Sequence, residues 1–129
     1  MATLTPTLTL ESTDATSDTL SFSVTDTLTV TDPQIGLSKI AASTTGGNSI
    51  ILPSVDAVRY VYIKHTAVDG SGSATSQLLN VETADNTVVC TLGAGEFMFA
   101  PIHDGDATLI QLEAASGTIV AEYAYWTKG

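Results

Sequence analysis

The chain has 129 residues, so one domain is expected, large enough to bury roughly two-thirds of the surface its unfolded form exposes. Hydrophobic residues make up 43% and charged residues only 14%, which argues against global disorder, and 14 acidic residues against Lys39, Arg59, Lys64 and Lys128 give a formal net charge of −10. Four scattered cations cannot release counterions from duplex nucleic acid or grip an anionic membrane, whereas the acidic balance favours solubility or docking onto a basic surface.

Residues 4–10 alternate, with Leu4, Leu8 and Leu10 separated by Thr or Pro. Leu20, Phe22 and Val24 then alternate with Ser21, Ser23 and Thr25, and Leu28 and Val30 continue the phase between Thr27, Thr29 and Thr31. A period of two is the strand period, with one face toward a core and one toward water. The wet face is supplied by Thr, of which the chain has 21, 11 of them within the first 31 residues. Its branched, hydroxylated side chain suits a solvated pleat. Asp26 falls in phase with the apolar set, which predicts a bulge or turn at 25–27, and Asp32-Pro33 ends the run by turn chemistry. The likeness of SDTLSFS (17–23) to TDTLTVT (25–31) fits either a weak duplication or a β-hairpin.

A short strand is expected at 35–43, a loop at 44–49, and a compact strand at 50–52 ended by Pro53. SVDA (54–57) fits one helical turn. VRYVYIKHT (58–66) carries the strongest strand signal, with Val61 and Ile63 on one face and Tyr60, Tyr62 and Lys64 on the other. A flexible Gly/Ser loop follows at 67–76. Strands are predicted at 77–83, 87–92, 96–100, 107–113 and 118–126, with turns at Asp85-Asn86, Gly93-Ala94-Gly95 and Ser116-Gly117. No segment carries a 3.6-residue apolar stripe, so crossover helices for a parallel sheet are missing. Eight to ten short strands predict an all-β, single-domain antiparallel β-sandwich or barrel, jelly-roll or Ig-like. Residues 1–18 are expected as an extended N-terminal strand or arm that reaches a neighbouring subunit, and 19–129 as the sandwich domain.

Candidate chemistry is sparse. His103, Asp104 and Asp106 lie in HDGD, where Asp104 and Asp106 are the candidate metal ligands, but the spacing lacks the alternate oxygen donors of a calcium loop and Asp-Gly is ordinary turn sequence. Cys90 is the single cysteine, which rules out an intrachain disulfide and zinc spacing and suits a reducing cytoplasm. It lies in an apolar strand and reads as a small core residue rather than a nucleophile. His65 closes one strand and His103 opens a turn, and no GxSxG elbow places a nucleophile beside either. Glu96, Glu113 and Glu122 read as solvated strand carboxylates rather than a glycosidase pair. GLSK (36–39) lacks phosphate-loop spacing. The start, MATLTPTLTLESTD, has no basic, continuously apolar signal segment, and no run approaches the ~20 apolar residues of a membrane helix. No catalytic residue and no cofactor is expected. The aromatic set Tyr60, Tyr62, Tyr123, Tyr125 and Trp126, with Leu4, Leu8 and Leu10, supplies the interface candidates; the aromatics fit a core, a protein interface or a glycan platform.

Three stretches together carry a family resemblance: ILPSVDAVRYVYIKHTAVDGSG (51–72), LGAGEFMFAPI (92–102) and SGTIVAEYAYWTKG (116–129), with the Thr-rich opening LTLESTDATSDTLSFSVTD (8–26). They cover more than half of the chain and resemble small virion structural proteins of tailed marine phages of the cyanophage type. The resemblance implies a β-sandwich assembled in many copies on a virion. Its expected role is capsid decoration on the outside of the shell, after synthesis in the host cytoplasm. Implied partners are the major capsid protein or other virion proteins and further copies of itself, with a trimer as one form, and neither nucleic acid nor membrane. A tail- or fibre-associated adhesin or glycan-binding module is the alternative. The resemblance implies no catalytic residues.

Overall fold

A computed structural model describes residues 2–31, 37–52, 57–104 and 110–128. Among them the regular elements are eleven strands and one 3-10 turn, Gly46–Asn48. The strands are β1 (Ala2–Leu4), β2 (Thr7–Ser12), β3 (Leu20–Thr25), β4 (Leu28–Val30), β5 (Ser38–Ala42), β6 (Ala57–His65), β7 (Leu79–Thr83), β8 (Val88–Leu92), β9 (Phe97–Asp104), β10 (Ile110–Ala114) and β11 (Ile119–Thr127). Every strand pairing is antiparallel.

The protein is an all-β sandwich. A four-stranded sheet, β5-β11-β6-β9, faces a three-stranded sheet, β10-β7-β8. Val61, Ile63, Ile119 and Ala121 from the first meet Leu79, Val81, Leu112 and Ala114 from the second in one buried cluster. Burying a side chain of this size contributes roughly 1.5–3 kcal/mol before the cost of ordering it. The segment 49–52 joins the free edge of β10: Ile50 bridges Gln111, the Ile51 N–H donates to the Ile110 carbonyl (3.0 Å), and the Leu112 N–H donates to the Ser49 carbonyl (3.0 Å).

The pairings are nested. β5 pairs with β11, 49–52 with β10, β6 with β9, and β7 with β8, and successive pairs fall in alternate sheets. A strand ribbon rolled in this way is a jelly roll, and the two sheets stay open rather than closing into a barrel.

Several boundaries shift from those expected. The compact strand at 50–52 is reduced to the one bridge. β9 runs to Asp104 rather than ending near 100, so His103 lies within a strand instead of opening a turn. Pro101 sits in β9, an outer edge strand, where a missing N–H costs the ladder nothing. The Gly/Ser loop is closed on itself: Val68 bridges Ala74, and the Asp69 carboxylate accepts from the N–H groups of Ser71 and Ser73, both at 2.9 Å. At Asp85-Asn86 the expected tight turn forms, with Asn86 in the left-handed region (φ 64°). Of SVDA, 54–56 lie outside the described residues and Ala57 begins β6.

The N-terminal strands build a separate two-stranded ribbon. β1 pairs with β4 and β2 with β3 in one register, Leu4 facing Leu28, Leu8 facing Val24 and Leu10 facing Phe22. The ladder breaks where Pro6, which has no N–H, comes opposite Asp26. The Asp26 N–H still donates to the Pro6 carbonyl (3.2 Å), and its carboxylate accepts from the Thr27 N–H (2.7 Å). This is the interruption that Asp26 signals in the sequence. The two similar segments, 17–23 and 25–31, do not pair with each other but follow in line along one side of the ribbon. The 18/19 division falls at the ribbon's turn, so β3 and β4 pair with the N-terminal strands. The ribbon's base is tied to the sandwich by the bridge between Val30 and Lys128 and by the Thr31 N–H donating to the Thr127 carbonyl (3.1 Å).

Candidate interaction surface

Strand alternation sorts the ribbon into two unlike faces. One carries Thr and Ser, tied across the strands by Thr7 and Thr25 (Oγ1 to Oγ1, 3.0 Å) and by Thr9 donating to Ser23 (3.1 Å). The other carries Leu8, Leu10, Phe22 and Val24, which keep between 42% and 54% of their surfaces exposed. Direct cross-strand pairs of this kind contribute roughly 0.2–1 kcal/mol each. A two-stranded ribbon alone is marginal in water, so an apolar face left open is a candidate interaction surface. Toward its base the same face is covered: Leu4 and Leu28 are half-buried and Val30 is buried.

The ribbon lies beside the outer face of the four-stranded sheet. Registers set the rows across that face: Lys39, Glu122, Lys64 and Phe97; then Ala124, Tyr62 and Phe99; then Trp126, Tyr60 and Pro101. Tyr60 and Phe99 stack with ring centroids 6.3 Å apart and planes 9° from parallel. Between ribbon and sheet runs a groove of about 670 Å³, lined by Leu8, Val24, Leu28, Tyr60, Phe99 and Pro101 among others, with Asp26 and Lys128 as its charged members. Phe97, at the open end, is 61% exposed.

The interface candidates divide accordingly. Leu8 and Leu10 lie on the open ribbon face and Leu4 at its covered base. Tyr60, Tyr62 and Trp126 belong to the outer sheet face. Tyr123 and Tyr125 turn inward and pack against the core, with the Arg59 guanidinium 5.3 Å from the Tyr125 ring centre. The Tyr62 hydroxyl donates to Glu122 (3.1 Å), and burial followed by this carboxylate raises the Tyr62 pKa above its usual value.

Two of the candidate chemical groups, His65 and Cys90, occupy structural positions. His65 is fully buried; its Nδ1 accepts from the Ala67 N–H (2.9 Å), which leaves Nε2–H to donate to the Gln77 carbonyl (2.8 Å). His103 is exposed on β9. Cys90 is half-buried against the core, its thiol 3.3 Å from the Met98 sulfur, and burial pushes its pKa up, away from thiolate reactivity. Among the described residues no group of three or more His, Cys, Asp or Glu could hold a metal ion. Asp104 closes β9, and Asp106 lies outside the described residues. No helix among the described residues is long and apolar enough to cross a membrane.

Glu82 carries the buried carboxylate that composition does not announce. It lies on the outer face of the three-stranded sheet, 2% exposed, beneath the 3-10 turn. Gln111 Nε2 donates to Glu82 Oε1 (2.8 Å) and to Asn86 Oδ1 (2.9 Å). Burial raises the Glu82 pKa and nearby Glu113 adds to the rise, while the Gln111 hydrogen bond opposes it. Gly46 closes over the cluster.

Phe22, Val24, Phe97 and Phe99 belong to the surface although they are absent from the expected interface set. The signal lay in the sequence: Phe22 and Val24 share the phase of Leu20, and Phe97 and Phe99 alternate within EFMFA. Set against known protein families, curated proteins and solved structures, the chain shows no match.

Proposed function

We propose that the protein is a virion structural protein of a tailed phage, a capsid decoration protein that binds the outside of the shell through its β-domain and bridges subunits. The observation that carries this reading is the continuous apolar surface of the open ribbon face and the groove beside it, which suits adhesion to another protein. The jelly roll recurs in viral capsid and lectin domains, which supports the reading by analogy of fold alone. The sequence resemblance points the same way. On this reading the protein works without catalysis or a cofactor, and its partner is the major capsid protein or another virion protein.

The test is an electron-microscopy map of particles carrying the protein, together with its copy number. Decoration predicts density on the shell exterior and copies on the order of hundreds, as symmetric shells demand. Density confined to a tail tip rejects it. One observation favours a second reading, a tail-fibre glycan-binding module: the Tyr60–Phe99 stack opens into a groove holding Asp26 and Lys128, and aromatic rings beside polar groups suit sugar faces. Specific retention on immobilised surface glycans, abolished by Phe99→Ala, would establish it.

A further inference from the structure

The charges of this chain are segregated. Its four cations are Lys39, Arg59, Lys64 and Lys128. Arg59 is buried against Tyr125. The other three all belong to the outer face of the four-stranded sheet: Lys39 and Lys64 flank Glu122 in register, and Lys128 lines the groove. Glu122 neutralises part of that row and is itself engaged by the Tyr62 hydroxyl, leaving the row net positive. The ribbon is the opposite, with Glu11, Asp14, Asp18 and Asp26 and no cation across residues 2–31. Three of these carboxylates lie at or near its tip.

We propose that the ribbon of one copy docks on the outer sheet face of a second copy. Leu10 and Phe22 meet the exposed Phe97 and Phe99, and Asp14 and Asp18, in the turn beyond that apolar pair, approach Lys39 and Lys64. The two surfaces match in both respects: on the ribbon an apolar pair is followed by anions at the tip, and on the sheet the apolar edge strand β9 is followed by cations further across the face. The match is local and decisive because the rest of each copy is acidic, and acidic surfaces elsewhere repel. The face continues the groove that already holds the base of the chain's own ribbon, so an incoming ribbon extends a contact of the same kind. Repeated around a symmetry axis, ribbon onto neighbouring sheet, the contact closes into a discrete oligomer. The inference concerns contact between copies and requires no shell.

Sedimentation velocity on the full chain tests it, with circular dichroism to confirm that each variant folds. The wild type is expected to form one discrete oligomer at concentrations up to about 100 μM. Leu10→Ser combined with Phe22→Ser weakens association at least about tenfold, as loss of central apolar anchors does. Lys39→Glu with Lys64→Glu does the same, and adding Asp14→Lys and Asp18→Lys to that variant restores the oligomer. A wild type that stays monomeric overturns the proposal, as does a folded ribbon variant that keeps the wild-type oligomer. Capture of a shell protein by the ribbon of a monomeric wild type overturns it in favour of a different occupant. None of these results bears on copy number in particles, so failure here and failure of the decoration reading are separate outcomes.

Discussion

Gly46 and Glu82 show how much one residue can constrain. A Cβ on Gly46 would collide with Glu82 Oε1 and Gln111 Nε2, neither of which can retreat without losing a hydrogen bond. Gly46→Ala is therefore expected to destabilise the fold by about 1–3 kcal/mol, read from urea unfolding. An unchanged midpoint would show that the turn moves freely over the sheet. Glu82 also gives stability an unusual pH dependence. Its folded pKa is raised above the ordinary 4.5, so the folded state holds its proton more tightly than the unfolded chain. Below 4.5 both states are protonated and the site contributes nothing. As pH climbs past 4.5 the unfolded chain ionises first, and the fold loses stability until Glu82 itself ionises. Glu82→Gln keeps an acceptor for Gln111 and removes the charge. The stability difference between variant and wild type should be flat at acid pH and grow in the variant's favour toward neutrality. A difference that stays constant with pH would remove Glu82 as its source. Asp69 and Asp85 act in the opposite direction: hydrogen bonds from Ser71 and from Thr83, respectively, lower their pKa values, so their contributions are lost as pH falls.

At the scale of elements, period-two alternation was readable directly in the N-terminal strands and in β6, and strand-favouring residues between turn signals located β7, β8, β10 and β11. It could not say which strand pairs with which. The similar segments at 17–23 and 25–31 fitted either a weak duplication or a hairpin with each other; the hairpin does not form, and each pairs with an earlier strand, because register depends on distant partners as well as local pattern. The segment 49–52 carried enough apolar character for a strand but packs irregularly: Ile51 and Leu52 are both buried, which strict alternation forbids. Buried Glu82 was invisible because its cover, Gly46, is remote in sequence. Of the candidate surface, the leucines on the ribbon and the outer tyrosines were legible, whereas Tyr123 and Tyr125 were not separable from them until the β6–β11 register fixed their inward face. The ribbon's two ends should differ measurably. Val30→Ala, at the buried base, is expected to cost about 2 kcal/mol by urea unfolding, while Phe22→Ala in the monomer costs less than about 0.5 kcal/mol. Equal costs would place the open face in a monomer's core.

Taken whole, the molecule is a rolled sandwich with every strand pairing antiparallel and most partners far apart in sequence. Such a topology folds slowly and spends time with unpaired edges. The protection of those edges has a consequence wherever many chains fold side by side. β9 borders open solvent, and Pro101 faces Tyr60 in the row between those whose N–H and carbonyl groups bond across to β6, the row in which a residue's own N–H would aim outward. A foreign strand laid along β9 finds a rung missing there. At the border of the other sheet, a register shift between Val81 and Glu82 kinks the β7–β8 pair and spoils a second template. Pro101→Thr should leave the monomer's melting temperature nearly unchanged and shorten the lag before thioflavin-positive fibrils form during concentrated refolding. An unaltered lag would assign that protection elsewhere. If the lag does shorten, one proline ring is what keeps chains that fold side by side from polymerising with one another.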